Sequence, residues 1–115
     1  MKTKLITIEQ LKPHEQTSQK HILELVKLIK QDGILKEPIL VEKNTFVILD
    51  GHHRVQAMKI LGYKKIPAKL VDYDEVEVSL RRKNLPSNLI KEIVLYLAKR
   101  KIVLPRKSTR HVMIS

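Results

Sequence analysis

The chain has no cysteine. Disulfides, thiolate metal sites and cysteine nucleophiles are therefore excluded, and a cytoplasmic protein is expected. Aromatic residues are scarce, and no apolar run approaches the roughly 20 residues that span a bilayer, so no membrane association is expected. The opening Met1-Lys2-Thr3-Lys4 leads into no signal-type apolar segment. No Gly-rich loop ends in Lys-Ser or Lys-Thr, no His/Cys/carboxylate spacing matches a zinc site, and no Ser/His/Asp constellation stands out. Internal repeats and low-complexity tracts are also missing.

What is present is positive charge. Twenty-three Lys and Arg against 12 Asp and Glu give a formal net charge of +11 over 115 residues. That balance attracts polyanions, whether nucleic acid or nucleotide phosphates, and does not choose between them. The charge is uneven: after Glu92 no acidic residue follows, while Lys99, Arg100, Lys101, Arg106, Lys107 and Arg110 do.

Periodicity places the elements. Lys4 to Ile8 alternates and reads as an edge strand, and the stretch through Pro13-His14-Glu15 reads as a loop. Thr17 or Ser18 caps a helix with Ile22, Leu25, Val26 and Ile29 on its apolar face, and Gly33 stops it. Pro38–Glu42 and Thr45–Leu49 form a hairpin, His52–Leu61 a second helix and Ile66–Val71 another strand. Arg81 to Asn84 reads as a basic hinge. Pro86-Ser87-Asn88 then opens a third helix, and Pro105 is expected to end regular structure, leaving a basic tail. The expected class is α+β, a small mixed sheet packed with helices plus a C-terminal helix and tail. Residues 1–80 would form one domain and residues 81–115 an appendage completing it as a single compact unit.

The chemistry concentrates at Leu49-Asp50-Gly51-His52-His53-Arg54, where a strand runs through glycine into a helix start. Unpaired backbone N–H groups and the positive helix end meet there, which suits a phosphate. Gly51 lets the backbone approach closely, Arg54 can offer a bidentate fork, and Asp50 could hold magnesium or orient a neighbour. Equally, Asp50-Gly51 could be only a capping turn, with both histidines solvated. Glu15 is a candidate base toward a hydroxyl if the fold brings it beside Gly51, and otherwise an exposed loop carboxylate.

From about Ile6 to Tyr73 the chain resembles the ParB-like nucleotide-binding domain of the ParB/sulfiredoxin-like superfamily. The resemblance rests on Pro38-Ile39-Leu40-Val41, Leu49-Asp50-Gly51-His52-His53-Arg54 and Leu61-Gly62-Tyr63-Lys64-Lys65-Ile66-Pro67. In that superfamily the Gly-x-x-Arg helix start cradles nucleotide phosphates, which implies Gly51, His52, His53 and Arg54. Sulfiredoxins need a cysteine where His52 stands, so that activity is excluded. Partition proteins typically carry Gly-Glu-Arg-Arg here and add a helix-turn-helix domain, for which too few residues follow Tyr73. Free serine kinases are the most similar members. Their likeness implies Glu15 as catalytic base with Asp50 beside it, Thr109, Arg110 and His111 as the L-serine site, Mg²⁺ as cofactor and ATP or ADP as donor. Those kinases carry a longer stretch before the tail. The alternative is a nucleotide-dependent DNA-binding protein, but Arg81–Asn88 lacks a helix-turn-helix pattern, so specific DNA binding is not expected.

Overall fold

The computed structural model describes residues 3–33, 37–80, 85–105 and 108–113. Strand β1 (Thr3–Thr7) is followed by a 3-10 turn (Ile8–Gln10) and helix α1 (Gln19–Asp32). Strands β2 (Ile39–Glu42) and β3 (Ile48–Asp50) form the expected hairpin, and helix α2 (His52–Ile60) leads to β4 (Lys65–Val71). Then come a 3-10 turn (Tyr73–Glu75), β5 (Val76–Leu80), α3 (Ser87–Lys99) and β6 (Thr109–Met113). Helix α1 starts after Ser18 and ends on Gly33, whose φ of 75° allows its N–H to close onto Ile29 O at 2.7 Å.

Four strands form a mixed sheet in the order β1-β4-β2-β3, antiparallel except for the parallel β2–β4 pair. Alternation of side chains sends Ile39, Val41, Ile48, Ile66 and Ala68 to one face, where Ile22 and Ile29 of α1 and Val55 and Met58 of α2 cover them. Val47, Leu49 and Val71 turn to the other face and meet Ile90, Val94 and Ala98 of α3. Each fully buried Val or Ile contributes on the order of 1.5–3 kcal/mol. The α+β class expected from the sequence is what the structure shows.

The tail departs from expectation. Regular structure does not end at Pro105: β6 pairs antiparallel with β5, from Val76 opposite Met113 to Leu80 opposite Thr109. The reason lies in alternation on both strands. Val76 and Val78 are fully or nearly fully buried, and Thr109 and His111 face inward opposite Leu80 and Val78. This ribbon joins the two stretches that a boundary at residue 80 would separate. The expected hinge at Arg81–Asn84 and the basic residues Arg106 and Lys107 lie outside the described residues.

Two backbone bridges place the Pro13-His14-Glu15 loop. Ile48 N–H donates to Lys12 O at 2.8 Å, tying the loop to the sheet beside β3. Leu104 N–H donates to His14 O at 2.8 Å, and Gln16 N–H to Leu104 O at 2.7 Å. The loop is thus clamped between the sheet edge and the segment entering β6.

Candidate active site

Helix α2 begins directly on Gly51, which sits at φ 108°. A Cβ there would collide with Cγ2 of Ile39 and come within 2.9 Å of its Cβ and 3.3 Å of Arg54 Nε. Glycine is therefore required twice, for its left-handed backbone and for want of space. Among the described residues no side chain caps this helix, and the positive end of its dipole lies at the cavity that Gly51, His52 and His53 line. Arg54 is braced beside them. Its Nη1 donates to the carbonyls of Glu37 and Pro38, both at 3.2 Å, and its Nη2 to Asp50 Oδ2 at 3.1 Å. The guanidinium is thus held in place rather than free to sample solvent.

Glu15 lines the same cavity, in a cage built from the far end of the chain. Its Oε2 accepts from Thr109 N at 3.0 Å, from the Thr109 hydroxyl, and faces His14 Nε2 at 3.3 Å. Burial alone would raise this carboxyl, but the hydrogen bonds from His14 and Thr109 outweigh it and bring it down to about 2. Glu15 is an ionised acceptor at neutral pH. The alternative of an exposed loop carboxylate is overturned by the chain brought over it.

The histidines are not solvated either. His52 is buried, and its Nε2 accepts the backbone N–H of His14 at 3.1 Å. Burial, then the nearby His14, pushes it down to about 3, so it is neutral with its proton on Nδ1. His53 Nε2 likewise accepts Ser18 N–H at 2.9 Å. These two rings brace the loops flanking the helix start, and Arg54 is the cation beside it. His111 stacks on Tyr73 and pairs with its hydroxyl at 2.7 Å. Burial, then His14, pushes His111 down to about 3 as well.

All nine residues singled out in the sequence line one cavity of about 780 Å³: Glu15, the run Asp50 to Arg54, and Thr109 to His111. Within it Asp50 and Arg110 are exposed, while Thr109 is buried with its N–H and hydroxyl already engaged by Glu15. Two residues that support the site from beneath its lining, His14 and Tyr73, were not assigned from the sequence. His14 is completely buried between Ile48, Thr109 and His52, and Tyr73 backs His111. The only sequence signal for His14 is a histidine directly preceding the candidate base.

A model of the ParB N-terminal domain family matches residues 1–89. The chain belongs to this family. A ParB-like protein of Sulfolobus acidocaldarius is 40% identical over 79 residues, 69% of this chain and 39% of that protein. An ATP-dependent L-serine kinase of Staphylothermus marinus is 37% identical over 81 residues, 67% of this chain and 32% of the kinase. The chain thus matches 32–39% of the length of these relatives. Among solved structures, a free serine kinase in complex with AMP superposes with a TM-score of 0.83 at 19% identity, covering 97% of this chain and 88% of the other. At that identity the likeness speaks to the fold, and its coverage extends beyond residues 1–89 of the family match.

Proposed function

We propose that this ParB N-terminal domain protein is a free L-serine kinase of the cytoplasm, passing the terminal phosphoryl group of ATP or ADP to the serine hydroxyl. The observation that carries the reading is the presence, in the lining of one cavity, of a helix start without a side-chain cap and of an ionised carboxylate. The first serves a phosphoryl donor and the second a hydroxyl acceptor. The named activity of the Staphylothermus marinus relative supports the same assignment.

In this mechanism the N–H groups after Gly51 and the Arg54 fork hold the phosphates and neutralise charge as it spreads over the transferring group. Arg110 receives the amino-acid carboxylate, and His111 closes the pocket beside it. Glu15 accepts a hydrogen bond from the serine hydroxyl and aims its oxygen at the terminal phosphorus. The serine O–P bond forms, the bridging P–O bond breaks with its electron pair leaving on the nucleotide, and the hydroxyl proton passes to Glu15. A carboxylate held near 2 is a weak base, which suits a loose transition state where the proton moves late.

Among the described residues no group of three potential ligands could cage a metal by itself. Magnesium needs only one or two carboxylates besides phosphate oxygens, and Asp50, exposed beside the helix start, fits that supporting role. When bound with the nucleotide, Mg²⁺ would supply charge neutralisation between the phosphates.

The test is to incubate the protein with L-serine and either ATP or ADP and follow O-phosphoserine by ³¹P NMR. Serine-dependent product with at least one donor is expected. Nucleotide consumption without O-phosphoserine, or none at all, overturns the reading.

A further inference from the structure

We propose that His14 is a positioning residue for this transfer: it carries a proton on both ring nitrogens and, as an imidazolium sealed beneath the cavity, fixes the Glu15 carboxylate through Thr109. The catalytic part rests on the kinase reading. The protonation part rests on hydrogen-bond counting alone.

His14 is fully buried, so each ring nitrogen must be satisfied by protein. Nδ1 lies 2.7 Å from Ile48 O, a carbonyl that can only accept, so Nδ1 carries a proton. Nε2 lies 2.8 Å from Thr109 Oγ1 and 3.3 Å from Glu15 Oε2. The Thr109 hydroxyl has one hydrogen, and it is directed to Glu15 Oε2. What remains on Thr109 Oγ1 for His14 is a lone pair, so Nε2 must donate too.

Moving that hydrogen onto Nε2 would leave the Thr109 oxygen and the Glu15 oxygen facing each other without a proton between them. Placing the proton on Glu15 instead is disfavoured, since Oε2 also accepts the Thr109 N–H at 3.0 Å and such donors stabilise the ionised carboxylate. The arrangement these contacts favour is an imidazolium, a hydroxyl bridge and a carboxylate. The other groups facing His14 accept this charge. From α2, the neutral His52 ring stands edge-on with centroids 4.6 Å apart, and from β6, His111 does so at 5.4 Å. Both are held uncharged by burial and by His14 itself. Glu15 is the sole carboxylate among the described polar contacts of His14.

The consequence is directional. A carboxylate tethered at one oxygen by Thr109 and a fixed positive charge cannot swing away from the acceptor. Its low basicity is the accompanying cost, tolerable because the reaction asks it to orient a hydroxyl more than to remove a proton early.

The test is long-range ¹H–¹⁵N NMR of the labelled full chain at neutral pH, with the five histidines assigned through the backbone. His14 should show two protonated nitrogens, while His52 shows a bare Nε2 as the internal contrast. In Glu15→Gln, His14 should revert to the neutral pattern. A bare nitrogen on His14 in the wild type, or two protonated nitrogens surviving in Glu15→Gln, overturns the proposal. In kinetics, His14→Gln should lower kcat roughly 10- to 100-fold, the worth of one charged hydrogen bond, with nucleotide KM unchanged. An unchanged kcat overturns the positioning role. If the wild type makes no O-phosphoserine, the kinase reading and the catalytic half fall together. A neutral His14 in an active enzyme sinks this proposal alone.

Discussion

Thr109, the first residue of the last strand, gives both its backbone N–H and its hydroxyl to the carboxylate of Glu15, 94 positions earlier. The two ends of the chain thereby meet at one oxygen. Pairing of β6 with β5 fixes the height of Thr109, and the bridge between Glu15 and Leu104 fixes the loop beneath it. The shape of the proposed catalytic group is therefore set by strand register rather than by local sequence.

Thr109→Val should lower kcat by roughly 10- to 100-fold, because it deletes a hydrogen bond to a charged group while keeping shape. Nucleotide affinity should not change. Steady-state kinetics with serine and nucleotide varied separately checks this. A raised KM for serine with kcat unchanged would return Thr109 to substrate recognition.

Gly51→Ala should destabilise the fold more than Gly62→Ala, although both glycines have positive φ, 108° and 88°. A Cβ at Gly62 meets nothing within 4 Å, so only backbone strain of about 1–2 kcal/mol applies there. At Gly51 the collision with Ile39 adds roughly 1–3 kcal/mol of overpacking. Urea unfolding of the two variants gives the comparison, and equal losses would contradict the account of this junction.

The helices and the strand–glycine–helix junction were legible in the sequence because their signals are local. Ser18 and Gly33 bracket α1, and Asp50-Gly51 sits where the apolar run of β3 stops. What was not legible depends on distant partners. β5 is only five residues long and meets β6 across α3, and Pro105 looked like an end because the strand after it has no partner nearby in sequence. His14 reads as one loop residue among others until Ile48, His52 and Thr109 close around it. The pairing of the two histidine rings with backbone N–H groups was likewise invisible, since a histidine after Asp-Gly reads equally well as solvated.

Stability should fall on mild acidification, in part through His111. Its unfolded imidazole takes up a proton near 6.5, whereas the folded one resists down to about 3. Between these values the unfolded chain binds more protons, so its stability contribution is present above 6.5 and is lost as pH falls through the window. Urea midpoints at about pH 7.5 and about pH 5 should drop in the wild type and drop less in His111→Phe. Equal slopes would contradict the buried, neutral assignment of this ring.

The +11 charge should produce only weak DNA binding. Non-specific affinity of roughly 10⁻⁴ to 10⁻⁶ M at physiological salt is what basic charge supplies, with a steep loss as salt rises. A sequence-reading protein would hold some site about 10³-fold tighter or more. Selection from a random duplex pool, with and without nucleotide, should enrich no motif. An enriched motif would favour the DNA-binding alternative, because backbone charge does not select sequence.

The most direct measurement is nucleotide affinity and O-phosphoserine formation, taken in parallel on wild type and Glu15→Gln. In the proposed mechanism Glu15 serves the acceptor and the Gly51–Arg54 helix start the donor, so calorimetry should return the same nucleotide Kd for both proteins. Transfer to serine should be lost in the variant. Transfer that survives the substitution, or nucleotide binding that disappears with it, would contradict the proposed assignment of the acceptor to Glu15 and the donor to the Gly51–Arg54 helix start.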